Sequence, residues 1–139
     1  MSDDAPTEPK AFFLSNEVAE YVTAHSGGAD PVLADLVEQT NALGEVARMQ
    51  VAPDQGAFLT VLTRALGATL AVEVGTFTGY SSICIARGMA AGARLIACDI
   101  SDEWTTIARR AWLDAGVADR IELRTREIND DFLFFYKSF

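Results

Sequence analysis

The chain has 139 residues, half of them hydrophobic, and its 11 basic and 20 acidic side chains give a formal net charge of −9. That length allows one modest domain with a real core, and the acidic balance argues against a nucleic-acid-binding surface. No apolar run is long enough to span a bilayer, and the Met-Ser-Asp-Asp start lacks the basic and apolar regions of a signal peptide, so the cytoplasm is the default expectation.

Residues 1–14 begin with Asp, Pro, Thr and Glu and read as a mobile arm. Ser15 is a fitting N-cap for a short helix on which Val18, Tyr21, Val22 and His25 share one face. His25 is the sole histidine, and alone on such a face it reads as packing rather than catalysis. Gly27-Gly28 closes this helix, and Asp30-Pro31 opens another with a capping carboxylate and a proline at the first helical position. Val32, Leu33, Leu36, Val37 and Thr40 form its apolar stripe. A connector from Met49 to Ala52 leads to a third helix, opened by Pro53, made amphipathic by Phe58, Leu59, Leu62 and Leu66, and stopped by Gly67.

The apolar, β-branched run from Leu70 to Val74 is the central strand. Gly75 ends it, and four residues later Gly79 precedes a helix expected over Ser82 to Met89. A second strand from Arg94 to Ile100 contains Cys98-Asp99. Ser101 then caps a helix with Ile107, Ala108, Ala111 and Trp112 inward, and Arg120 to Arg124 form a third strand. Cys84 and Cys98 lie among apolar residues without metal-like spacing, as reduced, buried thiols would. This alternation predicts an α/β fold with a partial Rossmann-like parallel sheet of order 3-2-1, preceded by helices, to which the tail could add a strand beside strand 1.

A strand, a tight turn and a helix N-terminus are where open α/β sheets hold nucleotide-like ligands. Glu73 is costly to bury in an apolar strand without a partner, Gly75 lets backbone approach a ligand, and Asp99 at a strand's carboxyl end is placed to accept ribose hydroxyls. The glycine spacing does not meet the dinucleotide fingerprint, which disfavours a nicotinamide-dependent enzyme. Taken singly, the turn could be a plain connection and Asp99 a helix cap. Together with Ser81 they converge on the edge of two adjacent strands, which favours a cofactor site.

Four segments, Met49-Gln50-Val51-Ala52-Pro53-Asp54-Gln55-Gly56, Val72-Glu73-Val74-Gly75-Thr76-Phe77-Thr78-Gly79-Tyr80-Ser81, Ile96-Ala97-Cys98-Asp99 and Ala115-Gly116-Val117, resemble the caffeoyl-CoA and catechol O-methyltransferases. The resemblance runs from about Pro31 to Arg124. It implies a class I enzyme dependent on S-adenosylmethionine, and a small-molecule acceptor of catechol or hydroxycinnamoyl type. By the same resemblance Met49 and Val51 would lie along the methionine part of the cofactor. Glu73 would receive its amino end, Gly75 and Thr76 would bring backbone close, Ser81 would bind its carboxylate, and Asp99 would hold the ribose hydroxyls. Relatives also use a divalent metal held by residues of later strands. Here Thr125 to Phe139 depart from that pattern, so no metal ligand and no catalytic residue is assigned, and the chain alone is expected not to transfer a methyl group. The organisation read from the sequence is thus an arm over 1–14, a cofactor-binding domain over 15–124 and a divergent tail over 125–139. A homodimer is left open. The competing reading from another class is a non-catalytic binding or interaction module that uses an exposed sheet edge.

Overall fold

The computed structural model describes residues 14–26 and 30–125. Nearly all of the expected arm, the Gly27-Gly28 stop and the tail strand lie outside those residues.

Capping side chains fix where the helices begin. The Ser15 hydroxyl oxygen accepts the Val18 amide at 3.4 Å at the start of α1 (Asn16–His25). The Asp30 carboxylate accepts from Val32 and Leu33 at 3.0 and 3.1 Å and opens α2 (Pro31–Asn41), where the first-position proline has no amide to satisfy. A 3-10 turn, Gly44–Met49, precedes α3 (Pro53–Ala65). Then come β1 (Leu70–Val74), α4 (Tyr80–Gly88), β2 (Arg94–Asp99), α5 (Asp102–Asp114) and β3 (Ile121–Thr125).

The three strands pair in parallel in the order β1-β2-β3, which is the expected 3-2-1 viewed from the other edge. Consecutive right-handed crossovers place α4 and α5 on the same face of the sheet. The register puts Ala71, Glu73, Leu95, Ala97 and Leu123 on that face. Ala97 is fully buried there with Tyr80, Ile83 and Cys84 of α4, Ala108, Ala111 and Trp112 of α5, and Leu36 of α2. Arg87 reaches from α4 to Asp30 in a partly buried ion pair that locks α2 onto the sheet layer. Burial pushes the Asp30 carboxyl up, but the Leu33 amide and the Arg87 guanidinium outweigh it and hold the group below its ordinary value.

Four expectations change. Helix α4 begins at Tyr80 rather than Ser82, because Gly79 takes the left-handed conformation (φ 87°) and serves directly as the cap. The Val18–His25 face of α1 is not core: Val18, Tyr21 and His25 are exposed, and Ala19 is the buried residue. His25 instead stacks on Tyr21 with ring centroids 4.0 Å apart, and its Nδ1 meets the Tyr21 carbonyl at 2.7 Å. Helix α3 likewise turns its large side chains outward except Leu59, and packs through its small ones. A Cβ on Gly56 would stand 2.7 Å from Tyr80 Cε1, and one on Gly88 would stand 1.9 Å from the Thr63 hydroxyl. The two helices meet too closely for anything bulkier. Both cysteines are free. Cys84 is buried, which pushes its thiol up to about 11, but Cys98 is only partly covered. No helix among the described residues is long and apolar enough to cross a membrane.

Candidate cofactor site

The turn between β1 and α4 hangs from the end of β2. The Gly75 amide donates to the Cys98 carbonyl at 2.9 Å, and the Thr76 hydroxyl donates to the same oxygen at 3.3 Å. Gly75 has φ 87°, and a Cβ there would meet nothing within 4 Å, so the glycine serves the backbone conformation and leaves the space beside it open. Phe77 also has positive φ, 51°, an uncommon state for a residue with a side chain. Its amide donates to Asp99 Oδ2 at 2.7 Å, which compensates the strain.

Asp99 does more than face the turn. Its Oδ1 accepts from the Ile100 and Ser101 amides at 2.7 and 2.9 Å. With the Phe77 bond, three of a carboxylate's roughly four acceptor positions are taken by backbone. One remains for an incoming donor, where the sequence led us to expect two hydroxyls to be held. The Phe77 ring is met edge-on by Trp104, with centroids 5.0 Å apart.

Glu73 lies on the helix-covered face of β1 and is 9 % exposed. The Ser82 hydroxyl donates to its Oε2, and Ser81 also hydrogen-bonds it. Burial pushes the Glu73 carboxyl up; the two serines pull it back, the Asp99 charge adds to the rise, and the balance lies above the ordinary glutamate value. A buried carboxylate supported by two hydroxyls and, among the described residues, no cation is a poor structural element and a good receiver for a positive group.

Two further contacts fix the turn from behind. Thr40 donates to the Leu36 carbonyl at 2.7 Å, so Thr78, 2.9 Å away and fully buried, is the donor to Thr40. Trp112 Nε1 donates to the Gly79 carbonyl at 3.4 Å, and a Cβ at Gly79 would lie 2.6 Å from that nitrogen and 2.8 Å from Ala108 Cβ.

Of the residues expected in the site, the fold brings Glu73, Gly75, Thr76, Ser81 and Asp99 together around one turn. Val51 packs against the buried cluster that contains Tyr80. Met49 stands half exposed at the end of the 3-10 turn, beside Glu45, Val46 and Arg48. Sequence reasoning missed Phe77, Thr78, Thr40 and Ser82. Ser82 directly follows Ser81, so two hydroxyls opening the helix after the strand were the signal that could have found it. Nothing local signals the Thr40–Thr78 bond, which spans 38 residues.

A parallel sheet whose first strand ends in a glycine turn onto a helix, with an acidic residue closing the second strand, is an α/β sheet of the Rossmann-like class. The sequence profile of a family described as O-methyltransferase matches residues 23–131, and the chain belongs to that family. It is 32% identical over 110 residues to a probable caffeoyl-CoA O-methyltransferase of Dictyostelium discoideum, covering 79% of this chain and 48% of that protein. It is 36% identical over 96 residues to a catechol O-methyltransferase of Mycobacterium tuberculosis, covering 69% of this chain and 43% of the other. Among solved structures, the O-methyltransferase of Bacillus cereus in complex with SAH superposes with a TM-score of 0.77 at 32% identity, covering 87% of this chain and 55% of that one. TomG of Streptomyces achromogenes, solved with SAM, also gives 0.77 at 28% identity, over 86% and 53%. The chain spans about half the length of the curated relatives it matches.

Proposed function

We propose that this chain binds S-adenosylmethionine as the methyl donor of an O-methyltransferase whose acceptors are small catechol or hydroxycinnamoyl compounds. The observation that carries the reading is the open Gly75 turn with the Asp99 carboxylate clamped beside it, one acceptor position still free. That position would take a ribose hydroxyl. Glu73 would receive the ammonium end of the cofactor, and the cation would offset the cost of burying an ionised carboxylate. Ser81, in the first turn of α4, would hold the opposing carboxylate with help from the helix N-terminus. Gly75 and Thr76 would supply backbone contact, and Met49 and Val51 an apolar wall along the methionine chain. The bound cofactor supplies a methyl group on a sulfonium, already activated for transfer to oxygen.

The residues described here serve the donor. Among them no three metal-ligating side chains converge, and three of the Asp99 acceptor positions are already taken by amides. A divalent ion of the kind the family resemblance implies therefore does not fit these residues, and no step is assigned to it.

Calorimetry with S-adenosylhomocysteine and with NAD tests the reading. Binding of the first and not the second is the expected result. NAD binding alone would make the site a dinucleotide site, and binding of neither would favour the interaction module.

A further inference from the structure

Two neighbouring serines stand in the first turn of α4, and the fold treats them differently. Ser81 is partly exposed, whereas Ser82 is fully buried. Both bond the Glu73 carboxylate, and the Ser82 hydroxyl does so at Oε2. That choice of partner is not the one a helix imposes. Thr40, Thr63, Thr105 and Thr106 donate back to the carbonyls of Leu36, Leu59, Ser101 and Asp102, four residues earlier, at 2.7, 2.8, 2.8 and 2.7 Å. Ser82 reaches instead to a strand residue nine positions back. Sealed from solvent, it can touch no ligand directly, so what it does for the site it does through Glu73.

The other groups facing that carboxylate give it no support. On β2 they are Asp99, whose charge opposes ionisation of Glu73, and Cys98; on α4, besides the serines, Cys84. Burial pushes both thiols up, so both stay neutral. Among the described residues no cation faces Glu73. The two serine hydroxyls therefore carry all the stabilisation of its charged form, and only Ser81 is placed to leave it.

We propose that Ser82 is a positioning residue of the cofactor site, whose hydroxyl keeps the Glu73 carboxylate ionised and anchored while Ser81 turns to the carboxylate of the ligand. With Oε2 held by Ser82, the departure of Ser81 frees an acceptor position for the ligand's ammonium group. The inference rests on the donor site proposed above and gives a part in binding to a residue that never contacts the ligand. An ammonium group prefers the ionised carboxylate, so affinity should climb with pH as Glu73 loses its proton, and then level off. Removing a hydrogen bond that favours the charged form moves that climb to higher pH.

The test is calorimetry of S-adenosylhomocysteine binding to the parent, Ser82→Ala and Glu73→Gln from about pH 5 to about pH 8. Loss of a hydrogen bond to a charged group corresponds to roughly tenfold or more in affinity. Ser82→Ala should show that loss at the acid end of the range, and the gap to the parent should close as pH rises. Glu73→Gln has no proton to lose and should bind weakly with a flat profile; adding Ser82→Ala to it should change affinity less than about twofold. Where alanine leaves too little folded protein, Ser82→Cys, similar in shape but a weak donor, should show the same closing gap. A hydroxyl that only supports the fold would lower the melting temperature and leave the gap equal at every pH. That result overturns the inference, and so does equal affinity of parent and variant. If the parent binds no S-adenosylhomocysteine at any pH, the donor site and this inference fall together; if it binds and the gap ignores pH, the inference falls alone.

Discussion

Asp99 is the residue at which the turn's architecture and its proposed chemistry can be separated. Asp99→Asn keeps the volume and one carbonyl-type oxygen. If that oxygen stays on the Ile100 and Ser101 amides, the new NH2 group faces the Phe77 amide, donor against donor, where the wild-type distance is 2.7 Å. A hydrogen bond to a charged group contributes about 1.5–3 kcal/mol. Without ligand the variant should therefore melt roughly 4–12 °C lower, read by differential scanning fluorimetry. Affinity for S-adenosylhomocysteine should fall about tenfold to a hundredfold, read by calorimetry at a temperature where both proteins are folded. An unchanged melting temperature would refute the clamp, and unchanged affinity in a folded variant would refute the ribose assignment.

Gly75→Ala and Gly79→Ala form a matched pair, since both residues have φ 87° but only the second is crowded. The first should cost about 1–2 kcal/mol from backbone strain and the second about 2–5 kcal/mol once overpacking against Trp112 is added; equal losses in urea titrations would refute the crowding. Because the native Glu73 carboxyl holds its proton more tightly than the unfolded chain's, whose ordinary value is 4.5, stability should fall as pH rises through the interval above that value. Glu73→Gln should flatten that limb and melt higher at pH 7; identical pH profiles would show that Glu73 is not the group responsible. Thr40→Val strands the Thr78 hydroxyl and should cost about 1–3 kcal/mol, while the double change Thr40→Val with Thr78→Val should cost less than the sum of the two single changes; strict additivity would deny their bond.

The elements with explicit punctuation were legible. Asp30-Pro31, Pro53, Ser101 and the glycines around β1 set boundaries that the structure reproduces to within a residue or two, because caps and turns are local chemistry. Burial was less legible. Periodicity found the stripe on α3 correctly but could not tell which face would be covered. Gly56, Thr60 and Thr63 offered the closer approach to α4, and their small size hid the fact. In the site, Glu73, Gly75 and Asp99 stood out because each violates the pattern around it. Phe77 did not, since nothing in a phenylalanine announces that its amide will be needed by a carboxylate 22 residues away.

The turn's hydrogen bonds also carry a kinetic consequence. Those of Glu73, Gly75, Thr76 and Phe77 all close within residues 73–99, across loops of about 23 residues or fewer. The Thr40–Thr78 bond spans 38 and brings in α2 from outside. Short loops cost less entropy to close, so β1, α4 and β2 can organise as one early unit onto which α2 docks afterwards. A lesion at Phe77 or Asp99 should then slow folding, whereas one at Thr40 should mainly hasten unfolding. The amide of Gly75, held inside that unit by Cys98, would keep its deuterium longer than the amides of α2 when the chain breathes.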